Sequence, residues 1–295
     1  MESKKLLFIF NSRSGKGLIK SHLVDIVDCM TKAGYSVTIY PTQERGDATR
    51  KVREDGALFD RIVCSGGDGT LDEVVSGMQQ AKLNVPLGYI PAGSTNDFAR
   101  SLGISNDMNK SMVTAVSDRL FPCDVGRFND ETFVYIAAFG MFTEISYETP
   151  QGLKNMLGHL AYLLSAAKSL AAIPNYRMQI EVEGQCIQDR FIYGMITNSV
   201  SVGGFQGMTG KDVQLDDGVF EITLIKYPAN FVELNEIVAC LTNLIDNSDL
   251  IYSFKASQIH IVSQDPIRWT RDGEFGGVHD DVHIENLHGA IQISV

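Results

Sequence analysis

The stretch RIVCSGGDGTLDEVVSGMQQ, residues 61–80, decides the fold class. Residues 61–64 form a short, mainly apolar run typical of a buried strand, and apolar residues recur at helical spacing from Leu71 onward. The polar, glycine-rich segment SGGDGT lies between these two patterns. A strand that passes through a glycine-rich turn into a helix is the repeating unit of a parallel α/β sheet.

The same alternation extends over about the first 120 residues. Strands are expected at residues 5–10, 35–40, 61–64 and 86–90, and helices at residues 18–33, 47–54, 71–80, 97–102 and 109–119. Apolar strands that alternate with helices predict a parallel sheet covered on both faces. In such sheets, ligands bind at the carboxyl ends of the strands.

The pattern changes after about Pro122 to short strands separated by turn residues, which predicts an antiparallel β domain. Strands are expected at residues 133–139, 178–183, 191–197, 220–225, 258–262 and 291–295, and helices at residues 153–170 and 231–244. We therefore predict an α/β domain over residues 1–125 and an all-β domain over residues 126–295, with a cleft between them.

Composition excludes several functional classes. The 295 residues include 36 acidic and 25 basic side chains, a net charge of −11, which argues against nucleic acid as a partner and against adsorption to anionic membranes by charge alone. No stretch approaches the ~18 apolar residues of a membrane span. The five cysteines are scattered and form no CxxC pair, so a reduced, cytoplasmic protein is expected.

Polar or glycine-rich loops follow four predicted strands, at residues 11–17, 41–43, 65–70 and 91–97. Glycines let the backbone approach a phosphate, and a helix N-terminus offers unpaired N–H groups. Four such loops at one sheet edge predict a nucleoside triphosphate site. A P-loop is excluded because Phe10 occupies its first glycine position, and the dinucleotide fingerprint because Asp72 occupies its third.

Asp68 lies among three glycines of the third loop. A carboxylate beside a phosphate is repelled unless a cation lies between them, and Mg²⁺ is the natural bridge between such oxygens. The alternative is that Asp68 only caps the following helix.

Two motifs at a defined spacing carry a resemblance to a known family. GGDGT at residues 66–70 and PAGSTNDFAR at residues 91–100 resemble the soluble bacterial diacylglycerol kinase and lipid kinase family, whose catalytic domain sphingosine kinases share. The resemblance continues through CDVG at 123–126, SYETP at 146–150, LDDG at 215–218 and RDGE at 271–274. This sequence departs from the family pattern at Ser12, Asp72 and Ser94, where proline, asparagine and threonine are usual.

The resemblance implies a fold and a set of site residues. It implies an N-terminal nucleotide-binding domain and a C-terminal β-sandwich, with the active site in the cleft and with final strands that can return toward the first domain. It places the catalytic Mg²⁺ nearest Asp68, with Asp97 and Asp124 linked through water, and makes Asp272 the general base. ATP contacts are implied at Asn11, Ser12, Arg13, Ser14, Gly15, Thr42, Gly66, Gly67, Asp68, Gly69, Thr70, Leu71, Asp72, Glu73 and Ser94.

A second, structural Mg²⁺ is implied by resemblance at the QLDDGV segment, with Asp217 as the carboxylate ligand and Gln214 and Val219 as carbonyl ligands. The alternative is a simple turn with Asp-Gly at its corner. His279 and His283 are four residues apart, but Val282 and Ile284 alternate as in a strand, so we do not expect the two imidazoles to converge on a metal. Trp269 is expected to be a packing residue.

The expected function is transfer of the γ-phosphoryl group of ATP to a lipid hydroxyl, with conversion of diacylglycerol to phosphatidic acid as the first choice. The partners are then ATP, a lipid with a free hydroxyl, and the inner membrane surface, contacted transiently through the apolar helix at residues 153–170. An NAD kinase and an inactive nucleotide- or lipid-binding regulator are the alternatives, and a homodimer is left open.

Overall fold

The structure is a computed structural model that describes residues 3–15, 17, 19–140, 161, 164–165, 167, 169–202, 205–206, 213–242, 244 and 247–295. It is a mixed α/β structure in which strands predominate. The first part of the chain contains β1 (Lys4–Phe10), α1 (Ile19–Lys32), β2 (Tyr35–Pro41), α2 (Asp47–Asp55), β3 (Arg61–Gly66), α3 (Asp68–Gln80), β4 (Leu87–Pro91), α4 (Asp97–Ser101) and α5 (Met108–Ala115).

The second part of the chain is mostly strands. It contains β5 (Leu120–Phe128), β6 (Glu131–Phe133), β7 (Ile136–Gly140), β8 (Tyr176–Val182), β9 (Gln185–Thr197), β10 (Ser201–Val202), β11 (Phe205–Gln206), β12 (Phe220–Lys226), α6 (Phe231–Leu241), β13 (Ile251–Ala256), β14 (Gln258–Arg271) and β15 (Glu274–Ser294). Most of the helix expected at residues 153–170 lies outside the described residues. Within the described part of the chain, no helix has the length and apolarity needed to cross a membrane.

Four parallel strands, in the order β2-β1-β3-β4, form the sheet of the first part. Its central strand β1 is buried on both faces. Leu7 and Ile9 belong to one core cluster, whereas Leu6 and Phe8 belong to another that includes Ile26 of α1. A strand enclosed on both faces needs apolar residues at every position, which is why this pattern was recognisable in the sequence.

The strands of the second part are mainly antiparallel, and they are hydrogen-bonded into the same sheet as the first part. The long strands β9 and β14 each pair with β8 along one half and with β7 along the other. These four strands therefore form a closed ring of hydrogen-bonded neighbours. The β-sandwich implied by the resemblance would instead consist of two separately hydrogen-bonded sheets. Trp269 lies inside, fully buried against the rings of Phe128 and Phe139, as predicted for a packing residue.

The 21-residue strand β15 connects the two parts. It pairs antiparallel with β14 and β5. Its penultimate residue, Ile293, pairs in parallel with Leu87 of β4. Ser294 accepts a hydrogen bond from the Arg61 guanidinium at 2.7 Å, and the same buried group donates to the carbonyls of Ala115 and Ser117. The last strand is thus built into the edge of the N-terminal sheet.

The sequence did not predict β5, and the helix expected at residues 109–119 ends earlier, at Ala115. Strand β5 contains Pro122, Asp124 and Gly126, which are typical of turns. Gly126 is required here because a Cβ atom at this position would lie 2.2 Å from the Phe133 ring. Packing therefore overrides local preference in this strand.

Candidate active site

The four polar loops lie at one edge of the parallel sheet, as the sequence predicted. The Asn11 amide donates to the Ser65 carbonyl at 2.9 Å, and the Ala92 amide donates to the Gly66 carbonyl at 2.7 Å. The Thr42 amide donates to the Phe10 carbonyl at 2.9 Å. These bonds connect the loops after β1, β2, β3 and β4 into one surface.

Glycines allow three of these loops to pack backbone against backbone. Gly15 has a φ of +53°, and a Cβ atom there would lie 2.3 Å from the Ala92 carbonyl oxygen. A Cβ atom at Gly93 would lie 2.5 Å from Cα of Gly67. A side chain at either position would force these backbones apart, so glycine is required for the loops to pack this closely.

A cavity of about 430 Å³ opens beside these loops. Eight of the residues predicted to contact ATP line it: Asn11, Arg13, Ser14, Thr42, Gly67, Gly69, Thr70 and Glu73. Four further lining residues were not predicted: Gln43, Glu44, Arg45 and Glu274. Arg45 and Glu274 form an ion pair between the β2–α2 loop and the start of β15, so the second part of the chain reaches the mouth of this cavity.

The other predicted contact residues do not line the cavity: Ser12, Gly15, Gly66, Asp68, Leu71, Asp72 and Ser94. The side chain of Leu71 projects from α3 into the core and is fully buried, so only its backbone is left for a contact with ATP. Gly15 and Gly66 act through loop packing, since a Cβ atom at Gly66 would lie 2.3 Å from the Thr70 hydroxyl.

Three carboxylates on the first turns of α3 face three different elements. Glu73 faces α2, where it accepts hydrogen bonds from the amides of Gly46 at 2.8 Å and Ala48 at 3.1 Å. These amides belong to the first turn of α2 and have no partner within that helix. Glu73 therefore holds the β2–α2 loop, which carries Thr42 and Arg45, against the glycine-rich loop.

Asp68 faces α4. Its carboxylate accepts hydrogen bonds from the amides of Asp97 at 3.0 Å and Phe98 at 3.4 Å, so Asp68 caps α4 and not the helix in which it lies. Burial, together with the nearby charges of Asp97 and Asp272, raises the pKa of Asp68 to about 6, although the two amides act in the opposite direction. A cation beside this carboxylate would relieve both penalties.

Asp272 forms the corner of the β14–β15 hairpin with Gly273. Both residues have positive φ, +46° and +81°, as in a two-residue type I′ turn. The buried carboxylate accepts hydrogen bonds from three successive amides, those of Val134, Tyr135 and Ile136. Burial raises the pKa of Asp272, while these three donors favour its ionised form.

The carboxyl groups of Asp72 and Asp272 lie close enough for each to shift the pKa of the other. Burial of Asp72, followed by the charge of Asp272, raises the pKa of Asp72 well above its ordinary value, and Arg271 offsets this only in part. Two ionised carboxylates at hydrogen-bonding distance repel each other strongly. A proton held on Asp72 would relieve this repulsion and leave Asp272 ionised.

The residues around Asp68 fit a divalent cation. Asp68, Asp97 and Asp272 come from three different elements and lie close enough for the other two charges to raise the pKa of Asp68. Mg²⁺ prefers oxygen ligands and is held by one or two carboxylates together with phosphates. Asp68 is the carboxylate that would lie nearest such an ion, with Asp97 beside it.

Asp124 is also buried, and its carboxylate has a full set of donors. One oxygen accepts from the Gly218 amide at 2.7 Å, and the other from the Gly289 amide at 2.7 Å and from Nδ1 of His288 at 2.9 Å. Asp124 therefore joins the LDDG segment to β15, and these contacts were not predicted from the sequence.

The residues predicted to hold a second cation fit a metal poorly. One Asp217 oxygen accepts from the Val219 amide at 3.2 Å, and the other pairs with the Lys255 ammonium at 3.1 Å. Lys255 also lies 3.0 Å from Glu221. An ammonium group thus supplies the positive charge assigned to a metal, while Gln214 lines a separate surface pocket beside Asp216.

His279 and His283 both lie on β15, as the alternation predicted. The Nε2 atom of His279 lies 3.1 Å from the Gly276 carbonyl oxygen, and its ring packs edge-on against Phe128. His283 stacks instead on His260 of the neighbouring strand β14, a contact that the sequence analysis missed.

Comparison with known proteins agrees with the geometry. The model of the family described as diacylglycerol kinase catalytic domain matches residues 5–128. A diacylglycerol kinase of Bacillus subtilis (strain 168) is 35% identical over 279 residues, which are 93% of this chain and 91% of that protein. This chain belongs to the diacylglycerol kinase catalytic domain family. A diacylglycerol kinase of Staphylococcus carnosus (strain TM300) is 34% identical over 280 residues, with 93% and 90% covered.

A solved structure has the same fold. One crystal structure is of a Bacillus anthracis str. Sterne protein provisionally named a diacylglycerol kinase. The alignment covers 100% of this chain and 96% of that chain, with 25% sequence identity and a TM-score of 0.83. The resemblance stated from the two motifs is confirmed, and this member of the family is a diacylglycerol kinase-like lipid kinase.

Two lining residues of the cavity had a signal in the sequence. Arg45 follows Thr42 in the loop after β2, and Glu274 lies in the same RDGE motif as Asp272. Neither was assigned a role because their ion pair joins positions 229 residues apart, and only the fold brings them together.

Proposed function

We propose that this enzyme transfers the γ-phosphoryl group of ATP to the free hydroxyl of diacylglycerol, giving phosphatidic acid and ADP. The observation that carries the proposal is that the β14–β15 hairpin extends to the cavity beside the glycine-rich loops. Glu274 lines the cavity formed by the glycine-rich loops, and Asp272, at the corner of the same hairpin, lies close enough to Asp68 to raise its pKa. A proton acceptor therefore lies beside a phosphate-binding surface.

Each residue then has a defined task. Amides of the loops around Gly67 and Gly93 orient the phosphates, and Arg13 adds positive charge at the cavity wall. Asp68 and Asp97 hold Mg²⁺, which neutralises charge on the phosphates when it is bound. Asp124 contributes by positioning, since it joins β15 to the LDDG segment.

Asp272 accepts the proton of the attacking hydroxyl. The new bond forms between the lipid oxygen and the γ-phosphorus, and the bond between that phosphorus and the oxygen of ADP breaks. A primary alcohol is a far weaker acid than a carboxylic acid, so the proton moves late, once the oxygen has given its electrons to phosphorus. The proton donated by Asp72 keeps Asp272 ionised and free to accept.

The full chain tests this proposal with Mg²⁺, ATP labelled at the γ-phosphate, and one acceptor at a time. The acceptors are diacylglycerol or phosphatidylglycerol in mixed micelles, sphingosine, and NAD. Label is expected in phosphatidic acid, separated by chromatography, and Asp272→Asn serves as the matched control. Label in NADP would overturn the proposal in favour of an NAD kinase. Binding of ATP and lipid with no labelled product would make the chain an inactive regulator.

A further inference from the structure

A row of polar side chains crosses three strands on the surface of the second part of the chain. His260 of β14 lies directly opposite His283 of β15 and directly opposite Glu181 of β8. Asp281 lies two residues before His283, so its side chain projects from the same face of β15. Two imidazoles and two carboxylates therefore occupy neighbouring positions on one face of the sheet.

The ligand atoms of this cluster converge. Oδ1 of Asp281 lies 2.8 Å from Nε2 of His260 and 3.5 Å from Nε2 of His283, and one donor atom from each residue falls within 4.8 Å of the others. Zinc bonds of about 2.0–2.2 Å place tetrahedral ligand atoms about 3.3 Å apart. The two separations from Oδ1 of Asp281, 2.8 and 3.5 Å, lie on either side of that spacing.

The two imidazole rings of the cluster lie in direct contact. The imidazole rings are stacked, with centroids 3.7 Å apart and planes inclined by 12°. A divalent ion bound between the rings and Asp281 would offset the negative charge of Asp281 and Glu181.

A supporting shell for such an ion already exists. The Nδ1 atom of His260 lies 3.6 Å from a carboxylate oxygen of Glu181, on the side of the ring opposite Asp281. Metal-binding histidines typically direct their second nitrogen at a carboxylate in this way. Asn129 fixes the backbone on the other side, since it accepts from the His283 amide at 2.8 Å and donates to the Asp281 carbonyl at 3.3 Å.

We propose that His260, His283 and Asp281 form a binding site for a divalent transition-metal ion, with zinc as the reference ion and Glu181 as the residue that orients His260. Imidazole ligands select transition ions over Mg²⁺, which prefers oxygen. None of these residues lines the candidate nucleotide cavity. Three protein ligands leave a fourth position for water, and the bound ion ties β15 to β14.

The experiment uses the full chain after treatment with a chelator. Cobalt(II) is titrated while its visible absorption is recorded, and zinc is then added to displace it. We expect one equivalent of cobalt with the absorption of a nitrogen- and oxygen-bound tetrahedral ion, full displacement by zinc, and no displacement by Mg²⁺. A rise in melting temperature with zinc is the second readout, because an ion bound only to the folded chain stabilises it.

His283→Ala is the main variant because its side chain is 68% exposed and its loss leaves the fold in place. It should weaken cobalt binding by more than about tenfold, since loss of an outer partner of a metal ligand alone costs about that much. His260→Gln should have the same effect. His22→Ala, which removes a histidine from α1, is the matched control and should bind as the parent does.

Two results would overturn the proposal. One is equal cobalt affinity in the parent and in His283→Ala. The other is a parent that takes up no cobalt and whose melting temperature does not respond to zinc. Both readouts are independent of lipid phosphorylation, so a failure here leaves the proposed kinase reaction untouched.

Discussion

Two Asp-Gly turns in the second part of the chain have opposite environments. At Asp272-Gly273 the carboxylate points inward, is buried, and accepts hydrogen bonds from three backbone amides while it faces the carboxyl of Asp72. At Asp217-Gly218 the side chain is 21% exposed, and its charge is matched by the Lys255 ammonium. The dipeptide is the same, but one turn concentrates negative charge and the other neutralises it.

The difference shows that the partners of a carboxylate determine whether its charge is available for chemistry. Backbone amides favour the ionised form of Asp272 without cancelling its charge, as the proposed proton acceptor requires. The ion pair with Lys255 satisfies Asp217 locally and leaves no charge to act on a substrate. Charge left unbalanced at a buried position is a mark of functional sites, whereas a balanced exposed pair usually is not.

The largest expected effect is that of Asp272→Asn compared with Asp217→Asn, the same chemical change in the two turns. Loss of a general base costs about 10²–10⁴ in rate, so lipid phosphorylation should fall by that factor in the first variant and stay near parental in the second. Affinity for a non-hydrolysable ATP analogue, measured by titration calorimetry, should be unchanged in both.

Thermal melting of both variants serves as the control for folding, because an amide at position 272 faces three donors that it satisfies less well than a carboxylate. If Asp272→Asn lost nucleotide affinity in step with activity while it remained folded, Asp272 would be a nucleotide or metal contact and the contrast between the two turns would lie in binding alone.

Asp72→Asn should have a smaller effect that grows with pH. Asparagine keeps a hydrogen-bond donor beside Asp272 at every pH, whereas the Asp72 carboxyl donates only while it is protonated. The activity of this variant divided by that of the parent should therefore rise as the pH rises, by up to about tenfold, or about 1.4 kcal/mol in the barrier. Initial rates of lipid phosphorylation across the neutral and alkaline range measure this ratio.

The same pair predicts a pH dependence of stability. The folded pKa of Asp72 is raised above its unfolded value, so its favourable contribution is complete below the unfolded pKa and is lost as the pH rises through the folded pKa. As the pH rises, the free energy of unfolding of the parent, measured by urea titration, should thus decline relative to that of Asp72→Asn. A constant difference between the two proteins would place the shared proton elsewhere.

The smallest expected effect concerns the neutralised turn. Lys255 is 38% exposed, so the pair that it forms with Asp217 should contribute about 1 kcal/mol or less to the free energy of unfolding. Because Lys255 also pairs with the buried Glu221, this contribution is measured as the coupling free energy between Lys255→Met and Asp217→Asn in a double-mutant cycle. Without nucleotide, Mg²⁺ should raise the melting temperature of the parent and of Asp217→Ala equally. A larger Mg²⁺ response in the parent would show that Asp217 does hold a structural cation in addition to the Lys255 ammonium.

The sequence predicted the parallel half of the fold well, because its strands are enclosed on both faces and therefore apolar throughout. Strands β1 to β4 and helices α1 to α4 lie within a few residues of their expected positions, and the loop at residues 65–70 was correctly grouped with the other three. The edge at which these loops meet follows from the topology of a parallel sheet, which leaves little choice.

Contacts between distant strands could not be predicted in this way. Asp72 is recognisable only as a departure from the family pattern, and its partnership with Asp272 depends on a hairpin 200 residues later. His260 and His283 lie 23 residues apart, and nothing in their spacing shows that β14 and β15 pair in this register. The ion pair of Lys255 with Asp217 likewise depends on the pairing of β12 with β13.

The position of β15 has a consequence for how this chain folds on the ribosome. Until residues 274–294 have been synthesised, the outer edge of β4 lacks its neighbour and the buried Arg61 guanidinium lacks the Ser294 hydroxyl. The nucleotide-binding half thus emerges first but closes last, and contacts this far apart in sequence form slowly. Nascent chains held short of Glu274 should therefore be cleaved readily by protease within residues 61–91, and released full-length chains should resist.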